Sequence, residues 1–231
     1  MTTQWSMVLA AADPSSPGSG GALAALCRTY WYPLYAFVRR QGHPAHEAED
    51  LTQEFFSRVF EKQYLQGVGP EKGRFRTFLL VCLRRFLAND WDRKTAAKRG
   101  GGRAPLSIDF SDADARYRLE PAHDLTPEKL YERRWALTLL QQVLANLAEE
   151  MRRAGKGEQF EAMKVYLAAE ATAPPHAEVA KKLGTSEGAV KVAVHRLRLR
   201  YRALLRAEIA KTVEDEADID DEIRGLLAAL G

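Results

Sequence analysis

Apolar residues recur along this chain three or four positions apart in one segment after another, and no stretch alternates apolar and polar residues for long enough to predict a strand. Leu23, Leu26, Tyr30, Leu34, Phe37 and Val38 predict a helix with one apolar face, which Pro33 is expected to bend. His46 to Glu61 predicts a second helix, burying Ala48, Leu51, Phe55 and Val59 while Asp50, Gln53, Glu54, Arg58 and Glu61 point away. Between Phe75 and Asp92 the same reading places Phe78, Leu79, Cys82, Phe86 and Leu87 inward and the arginines outward. Thr126-Pro127-Glu128 opens a further helix, with Thr126 as cap, Pro127 at the first helical position and Trp135, Leu139, Leu140, Val143, Leu144 and Leu147 as its core face. A turn at Gly155-Lys156-Gly157 leads to a helix from Gln159 to Glu170, and a short helix, Gln4 to Ala12, is expected at the start. The expected fold class is all-α.

The most informative pattern lies between His176 and Leu205. A helix from Ala177 to Leu183 carries Val179, Ala180 and Leu183 on one face, Gly184 stands where the chain must turn sharply, and Thr185 or Ser186 caps the next helix. That second helix spaces Val190, Ala193, Val194, Leu197 and Tyr201 as a docking stripe. Its opposite face presents Glu187, Lys191, His195 and Arg198, with Arg196, Arg200 and Arg202 beside them. This is the pattern of a helix-turn-helix, in which apolar residues seat a recognition helix while polar side chains face base edges and phosphates. Ser186, Glu187, Lys191, His195, Arg196 and Arg198 are the candidate contacts, with Ser186 and nearby backbone amides positioning the helix on phosphate. A plain helical hairpin with a solvated basic face is the alternative.

Charge sharpens the division of the chain. The net charge of its 231 residues is only +3, but bases and acids are segregated. Arg74, Arg76, Arg84, Arg85, Arg93, Lys94, Lys98, Arg99 and Arg103 face only Asp90 and Asp92 in their stretch, and between Lys181 and Arg206 Glu187 is the lone acid. The tail reverses this with Glu214, Asp215, Glu216, Asp218, Asp220, Asp221 and Glu222. Two basic modules fit two contacts with a polyanion. Lys98 to Leu125, with Gly100, Gly101, Gly102, Pro105 and Pro121, reads as a flexible linker. The expected organisation is therefore a helical domain over 1–97, a linker over 98–125, a helix-turn-helix domain over 126–212 and an acidic tail over 213–231. In the tail, Ile219, Ile223, Leu226, Leu227 and Leu230 predict an amphipathic helix from Asp218 to Leu230. So short a helix needs a partner for its apolar face. Two roles are open: completing a domain core, or docking, either on a basic DNA-binding face such as Lys191 to Arg206 or Arg84 to Lys94 or on a regulator.

Other function classes find little support. No apolar run reaches the 18 residues of a membrane span, and no basic region followed by an apolar core opens the chain, so the expected location is cytoplasmic. Cys27 and Cys82 sit among apolar helical positions and read as small hydrophobes. In the loop over 13–21 no Gly-Lys-Ser/Thr follows the glycines, and Asp50 stands where a His-Glu-x-x-His zinc motif needs histidine. Asp109, Asp112 and Asp114 lack the remainder of a calcium loop. No enzyme, metal or cofactor is expected.

The order of Asp50-Leu51-Thr52-Gln53-Glu54-Phe55-Phe56, a basic helix beginning Phe75-Arg76-Thr77-Phe78, a linker and Ser186-Glu187-Gly188-Ala189-Val190-Lys191 resembles the two-domain extracytoplasmic-function sigma factors of bacterial RNA polymerase, over most of residues 22–207. The resemblance implies that 1–97 is a sigma region 2-like domain and 126–212 a sigma region 4-like domain. It implies that Asp50, Gln53 and Glu54 dock on the clamp helices of the largest polymerase subunit, and that Arg84, Arg85, Asn89, Arg93 and Lys94 contact the −10 element and help open it. The loop Gly67 to Gly73 would lie where a flipped base is captured, and the helix-turn-helix would read the −35 element. Arg85 stands where many members carry asparagine. Core RNA polymerase and promoter DNA are the implied partners, and an anti-sigma factor or other regulator is left open. Two other readings remain: a helix-turn-helix regulator that acts without being a polymerase subunit, and an interaction adaptor that binds no nucleic acid.

Overall fold

The computed structural model describes residues 19–60, 73–96, 108–120, 125–167, 173–213 and 215–231, with the side chains of all but 19, 20, 23, 60 and 90–96. The expected helix Gln4 to Ala12, most of the loops over 13–21 and Gly67–Gly73, and linker residues 98–107 lie outside that set. The fold is all-α: every regular element among the described residues is helical. In chain order these are α1 (Ser19–Arg40), α2 (Ala45–Phe60), α3 (Phe75–Ala96), α4 (Ala113–Arg118), α5 (Pro127–Arg153), α6 (Gly157–Met163) with a 3-10 turn Lys164–Leu167, α7 (His176–Lys182), α8 (Glu187–Ala210), a 3-10 turn Glu216–Asp218 and α9 (Ile219–Ala228). They form two units, Met1–Thr138 with Ala210–Gly231, and Leu139–Ile209. The division thus falls inside α5 rather than in a linker over 98–125, and the tail belongs with the first unit.

In the first unit the 3.6-residue spacing decides what is buried. Leu26, Tyr30, Leu34, Phe37 and Val38 of α1, Ala48, Leu51, Phe55 and Val59 of α2, and Leu79, Cys82 and Phe86 of α3 are all buried as the spacing predicts. Each large side chain so placed contributes about 1.5–3 kcal/mol through lost apolar surface. Tyr30 meets Phe75 edge-on with ring centroids 5.4 Å apart. Burial pushes the thiols of Cys27 and Cys82 up to about 11, so neither is an activated nucleophile.

One expectation for α3 fails. Arg76, read as an outward arginine, is only 6% exposed. The physical reason is its register: it precedes Leu79, Leu80 and Leu83 by three, four and seven positions and so shares their buried face. Its guanidinium lies 4.3 Å over the Trp135 ring, its Nε donates to Glu132 at 2.8 Å, and its Nη1 pairs with Glu222 of α9. Arg74 Nε meets the other Glu222 oxygen at 2.9 Å. The Arg76 backbone carbonyl accepts the Tyr131 hydroxyl at 3.0 Å, which ties α3 to α5. Glu222 is fully buried, and the two guanidiniums supply the countercharge that a buried carboxylate needs.

The tail therefore completes a core, one of its two expected roles. Val213, Ile219 and Leu226 are buried, while Asp215, Glu216, Asp218, Asp220 and Asp221 are exposed. Acids in the first turn of α9 suit the positive end of its helix dipole.

The flexible linker expected over 98–125 is ordered in part. Residues 108–120 pack on α1: Phe110 meets Trp31 edge-on at 5.4 Å, and Arg116 lies 3.8 Å over the Tyr32 ring. Arg39 lies 4.7 Å over Tyr117 and pairs with Asp114 at 2.9 Å. The Tyr32 hydroxyl donates to the buried Glu120 at 2.8 Å, and Arg134 of α5 pairs with the same carboxylate. Burial first, and then this bond to Glu120, drives the Tyr32 hydroxyl well above its ordinary pKa. Contacts of arginine with aromatic rings hold this segment, and they leave no apolar periodicity to read.

Candidate nucleic-acid interface

In the second unit, α6, α7, α8 and the C-terminal part of α5 enclose Leu147, Phe160, Met163, Tyr166, Val179, Ala180, Val190, Val194 and Leu197. Helix α5 runs to Arg153, further than its apolar spacing indicated, and a turn with Gly155 at φ +69° leads into α6. α6 ends at Met163 rather than at Glu170.

Helices α7 and α8 are joined by Leu183, Gly184, Thr185 and Ser186. Gly184 has φ +62°, a backbone conformation that a Cβ disfavours. Around it the Gly184 amide donates to Lys181 O at 3.3 Å and the Thr185 amide to Ala180 O at 3.0 Å, closing α7. Ser186 is the cap of α8: its hydroxyl accepts from the Ala189 amide at 3.2 Å, and its carbonyl accepts from Val190 N at 3.1 Å. The glycine turn and the serine cap are therefore where the sequence indicated. His176 opens α7, stacked on Tyr166 with centroids 4.7 Å apart, and the Tyr166 hydroxyl donates to Pro174 O at 2.6 Å.

The candidate contacts on α8 separate into two groups. Lys191, His195 and Arg196 are exposed, and Lys191 pairs with Glu187 at 2.7 Å one turn back. That bond holds the Glu187 carboxyl below its ordinary pKa. Arg198 is built into the scaffold instead, donating through Nε at 3.1 Å and Nη2 at 3.0 Å to the Tyr166 carbonyl. Its fork satisfies the acceptor at the end of the 3-10 turn and ties α8 to it. Arg200 reaches Glu150 of α5 with Nη2 to Oε2 at 2.7 Å. Val192 and Leu199, which the sequence reading assigned no role, are 51% and 50% exposed.

The first unit carries the other candidates. Asp50 and Glu54 are exposed on α2 and Gln53 is half-buried, so residues spaced i, i+3 and i+4 share one polar strip while Leu51, Thr52, Phe55 and Phe56 face inward. Glu54 pairs with Arg58, whose guanidinium lies 5.0 Å from the centre of the Phe86 ring. The Thr52 hydroxyl is satisfied by Ala48 O at 2.7 Å. On α3, Arg84, Arg85 and Asn89 are exposed, and Arg84 is paired with Glu128 of α5. The Glu128 carboxyl lies below its ordinary pKa because its own backbone amide bonds to it, with Arg84 adding to the effect. The α3 backbone continues to Ala96 past Arg93 and Lys94, whose side chains lie outside the described set.

Sequence reasoning missed the buried Arg76–Glu222 pair and the exposure of Val192. Of the first, only the burial of Arg76 was legible, in its spacing from Leu79, Leu80 and Leu83; its partner Glu222 was not. The second was legible in the two-position offset of Val192 from Val190 and Val194, which turns it away from the docking stripe.

Among the described residues no helix is long and apolar enough to cross a membrane. No curated protein and no solved structure matches the chain. Residues 26–97, from within α1 to the end of α3, match the family model of sigma-70 region 2, so this part of the chain is similar to the region 2 domain of sigma-70 factors.

Proposed function

We propose that the chain is a sigma factor of the extracytoplasmic-function type, directing core RNA polymerase to particular promoters and assisting their opening. The observation that carries this reading is the conjunction of the region 2 match over 26–97 with a separate unit in which a glycine turn and a serine cap present the basic helix α8. In this reading the second unit is a helix-turn-helix that binds the −35 element through Lys191, His195 and Arg196, with Ser186 and Glu187 ordering the start of α8. Arg198 holds the helix in place and contacts DNA indirectly. Arg84, Arg85, Asn89, Arg93 and Lys94 of α3 serve the −10 element, where guanidinium and ammonium groups hold phosphate and polar groups meet an extruded base. Asp50, Gln53 and Glu54 form the strip that docks on the clamp helices of the largest subunit.

Transcription in vitro with core enzyme and genomic templates tests the proposal. Promoter-dependent initiation that requires the chain is expected, and its absence on every template overturns the reading. Tight, sequence-specific duplex binding without core enzyme, together with failure to co-purify with it, would identify the regulator alternative instead.

A further inference from the structure

The outward face of α8 is apolar along its centre. Val192 and Leu199 are seven residues apart with His195 and Arg196 between them, opposite the buried Val190, Val194 and Leu197. Lys191 and His195 flank this line on one side and Arg196 and Arg200 on the other. A valine half exposed on a helix loses side-chain freedom without burying its methyls, so its own helix gives no reason for it. The same stiffness makes it a rigid apolar probe, because one rotamer dominates for valine in a helix. It is the sixth residue of α8, near the end that a recognition helix directs at base edges. The bases around it supply the phosphate attraction that would bring that face to a duplex.

From these observations we infer that Val192 is a specificity-determining residue that reads the 5-methyl group of a thymine in the major groove, beside the base pairs contacted by Lys191, His195 or Arg196. Thymine is the one base that presents a methyl group there, and an apolar side chain recognises it by excluding water from both. The inference rests on the −35 reading of the second unit. Val192 also borders a groove of about 570 Å³ with Met151, Met163, Arg196 and Arg200, so a protein occupant is the competing use of the same side chain.

Replacing thymine by deoxyuridine removes that methyl and leaves pairing unchanged. Duplexes would be selected from a random pool by the full chain bound to core polymerase, and each thymine of the enriched −35 sequence replaced in turn by deoxyuridine. The expected result is one position where the replacement weakens binding about fourfold for the native chain. At that position the Val192→Ala variant binds thymine and uracil duplexes alike, with its melting temperature unchanged. A native chain indifferent to every replacement overturns the inference while leaving the promoter reading standing. A Val192→Ala chain that keeps the thymine preference does the same and assigns Val192 to the protein groove. If no sequence is enriched at all, the DNA-binding reading falls and the inference with it.

Discussion

Helices α3 and α8 are both long and rich in arginine, yet they meet different partners: α3 pairs with carboxylates from other helices, whereas α8 keeps His195 and Arg196 exposed and pairs Lys191 within its own first turns. In α3 and the residue before it, Arg74 and Arg76 close on Glu222, Arg76 also on Glu132, and Arg84 on Glu128, so three of the unit's arginines are engaged by its own carboxylates. In α8, Arg198 and Arg200 hold the helix to its scaffold, while Lys191, His195 and Arg196 stand exposed on the outward side. A basic segment is thus a polyanion-binding surface only to the extent that the fold supplies no acids to meet it. The acidic tail, through Glu222, neutralises the buried Arg76 and the exposed Arg74 rather than the outward bases of α8.

The sharpest way to break this comparison is to remove the tail. Deleting 213–231 takes away Val213, Ile219, Leu226 and Glu222 together, and it is expected to cost more stability than any single substitution, with no gain in DNA affinity. A melting curve and a binding isotherm on the same protein check both halves. Tighter promoter binding with an unchanged melting temperature would restore an autoinhibitory tail. Next in size is Glu222→Ala, which leaves Arg76 buried beside a single remaining carboxylate, Glu132, and is expected to cost about 3–5 kcal/mol in chemical denaturation.

On the other helix, Arg198→Ala and Arg196→Ala should separate scaffold from surface. The first removes a two-pronged charged bond to the Tyr166 carbonyl and is expected to cost about 1.5–3 kcal/mol of stability. The second is expected to leave the melting temperature unchanged and to weaken promoter binding. Equal effects of the two on stability would show that Arg196 also belongs to the scaffold. The smallest structural effect is expected from Asp50→Ala, an exposed position whose loss should leave the fold intact and reduce co-purification with core polymerase. A fall in melting temperature like that of a core substitution would place Asp50 among the structural groups.

The all-α class, the burial of Leu51, Phe55, Leu79, Phe86, Val190 and Leu197, the turn at Gly184 and a cap at Thr185 or Ser186 followed from the sequence by itself, and the structure selects Ser186. Each depends on interactions within a few residues, either 3.6-residue spacing or a backbone angle that glycine tolerates and other residues resist. Thr126 likewise accepts a bond from the Lys129 amide at 3.3 Å, as its place before Pro127 indicated.

Only the tertiary structure decided what was done with the charges and with the segments around them. Glu222 lies far along the chain from Arg74 and Arg76, and nothing local to either arginine announces the carboxylate that will meet it. Residues 108–120 showed no periodicity, because rings and guanidiniums from α1 hold them one contact at a time. Arg198 and Arg196 are two residues apart on one helix, and the packing of the 3-10 turn makes the first an anchor on the Tyr166 carbonyl while the second stays exposed. An ion pair forms between whichever opposite charges the packed core brings within reach, and that reach is a property of the fold.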